Sequence, residues 1–375
     1  MKRNELQTPC FLVNEAALKR NLKILGGVQK RTGCKILLAQ KAFSMFRVYP
    51  LIAQYLSGAS ASGLFEARLA HEEMGGENHV FSPAYTQKEM RELVVVCDHI
   101  VFNSFSQLET HRAVWQSSGV SVGIRVNPEC STQEGHAIYD PCAPFSRLGV
   151  TRKNFRVDLL DGVEGLHFHT LCEQNADDLI KTFEAFETSF GEFLPRMKWL
   201  NLGGGHHITK PDYDIAALEE LIGYIRKQYG VTVYLEPGEA IALNAGELIT
   251  TVLDVVDNGM PVLILDTSAS CHMPDVIEMP YRPPLQNAGL PGEKNVTCRL
   301  GGRTCLAGDI IGDYSFEHMP QVGDRLTFSD MAIYTMVKTN TFNGMPLPAI
   351  ALEHEDDACE LVKAFGYEDF KGRLS

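Results

Sequence analysis

The sequence predicts an α/β protein in which a (β/α)8 barrel of the TIM type is joined to a β-rich domain. From Lys35 to Leu235, short apolar runs alternate regularly with amphipathic ones, the pattern of repeated βα units. After Pro237 helical periodicity gives way to Val-, Ile- and Thr-rich runs separated by glycine and proline. Chemically able residues fall at the carboxyl ends of separate predicted strands, where a barrel gathers its chemistry.

Thr8–Val13 reads as a strand, and Asn14 caps a helical pattern that sets Ala17, Leu18, Leu22 and Leu25 on one side. The Gly26-Gly27 pair is expected to weaken or end that helix. Eight barrel strands follow: Ile36–Ala39, one within Leu56–Ser62, His79–Ser82, Ile100–Asn103, Val120–Val126, Gly165–His169, Trp199–Leu202 and Val231–Leu235. Amphipathic runs such as Ser106–His111 and Asp178–Phe183 supply the intervening helices. Strands of the β-domain are expected at Glu247–Val256, Pro261–Asp266, Asn295–Leu300, Arg325–Phe328 and Ile333–Val337, with Pro280–Pro284 as a long loop. The expected division is a barrel over residues 30–240 and a β-domain over 1–29 and 241–375.

A net charge of -13 argues against a general phosphate-backbone binder, so nucleic acid is not an expected partner. The ten cysteines form no CxxC pair and read as reduced cytoplasmic thiols. No apolar run approaches the ~18 residues of a membrane span, and the polar start of the chain does not read as a signal peptide. A soluble cytoplasmic protein is expected.

Lys41 stands where the apolar strand Ile36–Ala39 emerges. A lysine held in a partly desolvated pocket loses proton affinity and can attack an aldehyde; an isolated strand-end lysine more often snorkels to solvent. His167 and His169 share one strand face, and taken alone they rank first as hydrogen-bonded core histidines, then as metal ligands, then as a group stacking on a flat ring. Gly203-Gly204-Gly205 follows the seventh strand, where bare peptide N–H groups can converge on a phosphate, or simply form a tight turn. Glu236-Pro237-Gly238 closes the eighth with a carboxylate that, if buried, needs a cationic partner. Together the four describe a pocket for pyridoxal 5'-phosphate: the aldehyde on Lys41, the ring face on His169, the ring nitrogen on Glu236, and the phosphate on Gly203, Gly204, Gly205 and Gly238. No metal is expected.

Over almost its whole length the chain resembles the fold-type III, alanine-racemase-like pyridoxal-phosphate decarboxylases. These include ornithine and diaminopimelate decarboxylases, and the likeness is greatest to the branch acting on the carboxylated polyamines carboxynorspermidine and carboxyspermidine. The matching pieces are Ala39–Ala42, His167–His169, Gly203–Gly205, Glu236–Gly238, Gly302-Arg303-Thr304-Cys305 and the segment from Tyr334 to Gly344 with Thr341-Phe342-Asn343-Gly344. The resemblance implies a homodimer with shared active sites, in which Cys305 of one subunit returns a proton after carbon dioxide leaves. It also implies that Tyr334 bonds the cofactor phosphate, that Arg125 lies near the cofactor, and that Glu278, Asp275 and Asp309 are candidate carboxylates for the distal amines.

This chain departs from the family pattern in carrying Glu239 where an arginine commonly follows Glu-Pro-Gly, Cys172 for a serine, and Leu306 where an acid follows the cysteine. Phosphate and amine contacts are therefore expected to be partly rebuilt. The alternatives are another amino-acid decarboxylase of this fold, a racemase, a metal-dependent hydrolase using His167, His169, His206 and His207, and a catalytically inactive regulator. A racemase of this fold wants a second-base tyrosine and an arginine at the ring nitrogen, against which Cys305 and Glu236 argue.

Overall fold

The structure is a computed structural model describing residues 1–133 and 137–375. Strand β1 (Cys10–Asn14) is followed by β2 (Lys35–Ala39), β3 (Gly58–Ala61), β4 (Glu77–Phe81), β5 (His99–Phe102), β6 (Ser121–Arg125), β7 (Val163–His167), β8 (Trp199–Asn201) and β9 (Thr232–Leu235). Strands β2 to β9 close into a parallel barrel, β2 pairing β9 through Lys35↔Tyr234 and Ile36↔Leu235. All eight predicted barrel strands form, each displaced by at most a few residues. The chain divides into two compact units, Arg20–Ile241 with the barrel, and Met1–Lys19 with Ala242–Ser375.

The barrel strands form where they were expected because each carries an apolar run that only full burial satisfies; Ile36, Leu37 and Leu38 are all 0% exposed. Helices between them start on side-chain caps, Ser104 accepting from Gln107 N–H and Asn175 from Ala176 N–H. Large and small residues alternate across the interior. The Trp199 ring lies over β6 and β7, where a Cβ on Gly123 would come within 2.2 Å and one on Gly165 within 2.0 Å of it. Gly165→Ala is therefore expected to overpack the barrel and destabilise it by about 1–3 kcal/mol in urea unfolding. An unchanged midpoint would mean that the indole ring can move aside.

At the amino ends of the strands a polar floor closes the barrel. Glu77 accepts from Tyr234 Oη at 2.8 Å and pairs with Lys35, while the His79 and His99 rings stack 4.0 Å apart. Burial alone would raise the Glu77 carboxyl, but its bonds to His79, Lys35 and Tyr234 outweigh it and hold the group at about 2.

The other unit is a sheet in the order β13-β12-β11-β10-β1-β15-β16, with β14 also on β10. Its later strands are β10 (Gly246–Asp257), β11 (Pro261–Leu265), β12 (Val296–Gly301), β13 (Ile310–Phe316), β14 (Arg325–Ser329), β15 (Ala349–Glu353) and β16 (Cys359–Lys363). Phe11, Leu248, Leu263, Tyr314 and Phe328 build its core.

The structure narrows one sequence expectation and overturns another. The first helix does not stop at Gly26-Gly27 but runs over Glu15–Thr32, because Leu18, Leu22, Leu25 and Val28 are all fully buried and outweigh the ~1 kcal/mol each glycine costs. Asn14 does cap it, accepting from Ala17 N–H at 2.7 Å. The expected strand Ile333–Val337 is a turn followed by a short 3-10 helix, Met336–Lys338. Tyr334 at φ 54° interrupts the extended run. No helix among the described residues is long and apolar enough to cross a membrane.

Candidate active site

At the carboxyl ends of the barrel strands lies a cavity of about 540 Å³ whose lining includes Lys41, Arg125, His167, His169, Gly204 and Glu236. The barrel makes this convergence unavoidable. Residues at the ends of β2, β6, β7 and β9 are far apart in sequence but share one rim.

Lys41 lines the cavity and is exposed through it, while the protein around the cavity still crowds its amine. Desolvation is the largest influence on its amine and lowers its proton affinity, with the Arg125 charge acting in the same direction and Glu236 opposing. That is the environment a nucleophilic amine requires. Arg125 is 4% exposed, with its guanidinium 4.5 Å from the Phe81 ring centroid and one N–H donating to the His169 carbonyl at 3.2 Å. Burial lowers its guanidinium to about 10.

His169 Nδ1 accepts the Gly204 N–H at 2.7 Å, which places the proton of the neutral ring on Nε2 and fixes its plane. Burial, reinforced by Lys41 and Arg125, keeps that ring well below the ordinary histidine range, hence neutral. Glu236 Oε1 accepts from Asn201 Nδ2 at 2.8 Å, and Asn201 Oδ1 accepts the Gly203 N–H at 2.8 Å. One asparagine thus couples the acid to the glycine turn.

The turn itself can be built only from glycine. Gly203 and Gly205 adopt φ 71° and 83°, and a Cβ on Gly204 would lie 2.3 Å from the Glu236 carbonyl oxygen. His206, 1% exposed, donates from Nε2 to the Gly203 carbonyl at 3.0 Å and so braces the turn. The N–H groups of Gly203 and Gly204 are already committed to Asn201 and His169, so the three glycines do not present a full set of free donors. Glu239, standing where the family pattern has arginine, takes His207 Nε2 at 2.6 Å. Burial pulls His207 down, but that bond and the charge of Glu239 prevail and raise it above the ordinary value. Cys172 is half-buried and its thiol is pushed up to about 12 by burial, so at neutral pH it is no anion.

The four histidines weighed for a metal hydrolase do not converge as a ligand set among the described residues. Those that approach one another are Glu173, His207 and Glu239, and, on the barrel floor, Glu77, His79 and His99.

The remaining expected site residues lie in the other unit. Cys305 is exposed, and its N–H donates to Asn343 Oδ1 at 2.7 Å. Asp309, 1% exposed, accepts from Ser268 Oγ at 2.9 Å, Ser270 N–H at 3.1 Å and Thr304 Oγ1 at 2.6 Å. Its carboxylate is consumed in anchoring the Gly302–Cys305 turn, a different job from the amine binding expected of it. A Cβ on Gly302 would lie 2.2 Å from that carboxylate, so the turn needs glycine to close on it. Asp275 and Glu278 both pair with Lys338, the latter at 2.9 Å. Tyr334 is half-buried in its left-handed conformation. Neither Asp309's anchoring role nor the part Lys338 plays was read from the sequence, since both join segments remote along the chain.

The residues present suit pyridoxal phosphate: an amine of depressed proton affinity, a neutral ring locked in plane, an oriented acid, and a turn too tight for any side chain. Comparison with known proteins decides the family. A model described as "Pyridoxal-dependent decarboxylase, C-terminal sheet domain" matches residues 43–332. The chain belongs to the pyridoxal-dependent decarboxylases.

Within that family it is 40% identical to a carboxynorspermidine/carboxyspermidine decarboxylase of Campylobacter jejuni, over 98% of this chain and 99% of the relative. It is 42% identical to a carboxyaminopropylagmatine decarboxylase of Synechocystis, over 99% of this chain and 96% of the relative. The crystal structure of carboxynorspermidine decarboxylase complexed with norspermidine from Campylobacter jejuni superposes with a TM-score of 0.91 at 39% identity, covering 98% of this chain and all of that one. The barrel-plus-sheet architecture of this decarboxylase is thus the architecture of its relatives. Three residues first singled out as departures, Cys172, Glu239 and Leu306, have distinct surroundings: a raised thiol, a histidine pair, and a leucine 43% exposed beside Cys305.

Proposed function

We propose that this decarboxylase acts on carboxynorspermidine or carboxyspermidine, with pyridoxal phosphate as cofactor, releasing carbon dioxide and norspermidine or spermidine in polyamine biosynthesis. The observation that carries the reading is the convergence of Lys41, His169 and Glu236 in one cavity, in a chain whose full-length relatives bear that activity in their names.

When bound, the cofactor supplies an electron sink for the carbon that loses its carboxylate. Lys41 would hold the cofactor. His169 would support its ring, and Glu236, oriented by Asn201, would pair with the ring nitrogen. Gly203, Gly204, Gly205, Gly238 and Tyr334 would hold the phosphate, with Arg125 near the cofactor. Cys305 delivers a proton to the reacting carbon, reaching it from the second copy in a homodimer with shared sites. In this reading the barrel of residues 30–240 carries the cofactor, and the β-domain of 1–29 and 241–375 completes the partner's site. Asp275 and Glu278 receive a distal amine in competition with Lys338, whose ammonium now sits between them. With ten free cysteines, the enzyme is assigned to the cytoplasm.

The relative acting on carboxyaminopropylagmatine, at 42% identity, favours a second reading in which the far end of the substrate is a guanidinium. Carbon dioxide release from five substrates tests both. Carboxynorspermidine or carboxyspermidine is expected to give a kcat/KM at least tenfold above ornithine and diaminopimelate. Preference for either amino acid would overturn the proposal, and preference for carboxyaminopropylagmatine would establish the second reading.

A further inference from the structure

His167 is a cavity residue to which nothing so far gives a task. It ends β7 two residues before His169, is 2% exposed, and lines the same cavity. Neither of its ring nitrogens has a hydrogen-bond partner among the described residues. Leaving a buried polar atom unpaired costs on the order of 1–3 kcal/mol, so a ring with two such atoms is a poor choice for packing alone. A phenylalanine would fill that space against Phe81, whose ring centroid is 5.5 Å away, at no such cost.

The carboxylate of Glu236 lies close by. Its Oε1 is held by Asn201, whereas Oε2 lies 3.8 Å from His167 Nε2, just beyond bonding range. We infer that His167 is a positioning residue for Glu236, its Nε2–H closing onto Oε2 when the cofactor ring is in place, so that the acid is gripped from both sides. This inference rests on the proposed cofactor and adds a group to its binding site.

The charge state of the imidazole matters to that role. An imidazolium beside Glu236 would neutralise the acid and compete with the ring nitrogen for it. A neutral imidazole orients the carboxylate and leaves its charge to the ring. The surroundings impose the neutral form: burial first, then the positive charges of Arg125 and Lys41, hold His167 well below the ordinary histidine range.

The test compares wild type with His167→Phe and His167→Asn, the first deleting the donor and the second retaining an N–H. Apoenzyme is titrated with pyridoxal phosphate, following the visible band, and apoenzyme melting is recorded alongside. His167→Phe is expected to melt no lower than wild type, having lost two unpaired atoms, yet to bind the cofactor about tenfold more weakly. His167→Asn is expected to recover most of that loss. Cofactor binding by His167→Phe as tight as wild type would overturn the inference. So would a lowered melting temperature in both variants with parallel losses of binding, which marks a packing role. If wild type itself takes up no cofactor, the underlying assignment fails, and that is seen before any variant is made.

Discussion

Lys41→Ala is expected to give a folded, colourless protein that takes up pyridoxal phosphate without a covalently attached visible band and whose decarboxylation falls on the order of 10³-fold or more. The size follows from the cavity. Lys41 is the one lysine among its described lining residues, so no other ammonium stands ready to replace it. Its lowered proton affinity, caused by desolvation and by Arg125, favours the neutral, nucleophilic amine. The variant should fold because Lys41 spans no core contact and opens into the cavity. Absorption spectra with carbon dioxide release check the expectation. A variant that keeps the band and the activity would remove Lys41 from the chemistry.

Cys305→Ala separates the two halves of the reaction. The visible band should persist, since no barrel group is touched, while turnover falls by about 10²–10⁴-fold, the range of a lost proton donor. Cys305 is exposed, its backbone is held by Asn343, and the preceding Thr304 is bound to Asp309, so the alanine variant should retain the turn. Cys172→Ala is the matched control. That thiol is kept protonated by burial, and with Cys305 as the proton donor its loss should leave turnover within a few-fold of wild type. Unchanged turnover in Cys305→Ala would transfer the proton delivery to another group.

Most of the barrel was legible because strands such as β2 and β5 are short apolar runs set at regular intervals between amphipathic helices. Lys41, His169 and Glu236 stood out because barrel closure brings every strand end to one rim, whatever the sequence separation. The β-domain was harder to read. Strand β13 carries Gly312 and Asp313 at its centre, and β16 is only five residues long with Glu360 and Lys363 among them, so neither shows a sustained apolar run. Conversely, Ile333–Val337 has strand composition, but Tyr334 takes a left-handed backbone that composition does not announce. Asp309 was read as a candidate substrate ligand because the resemblance places its segment of the β-domain near the site. Its donors, Ser268 and Ser270, lie some forty residues earlier and meet it only through the sheet. His167 was masked by its neighbour, since spacing alone cannot say which histidine of a pair is left unpaired.

Strand β1 lies between β10 and β15, in register with both through Cys10↔Ile249 and Cys10↔Ala349. It is synthesised before both neighbours, one of which begins at Gly246 and the other at Ala349. The contiguous segment Arg20–Ile241 has its elements in hand long before that. Synthesis and assembly therefore run in different orders: β1 must wait, unpaired within its sheet, until the barrel segment and then β10 have emerged, and its second edge stays open until β15 follows. Trimming these first residues would remove an inner stave of the sheet, leaving two raw edges open to pairing with other chains.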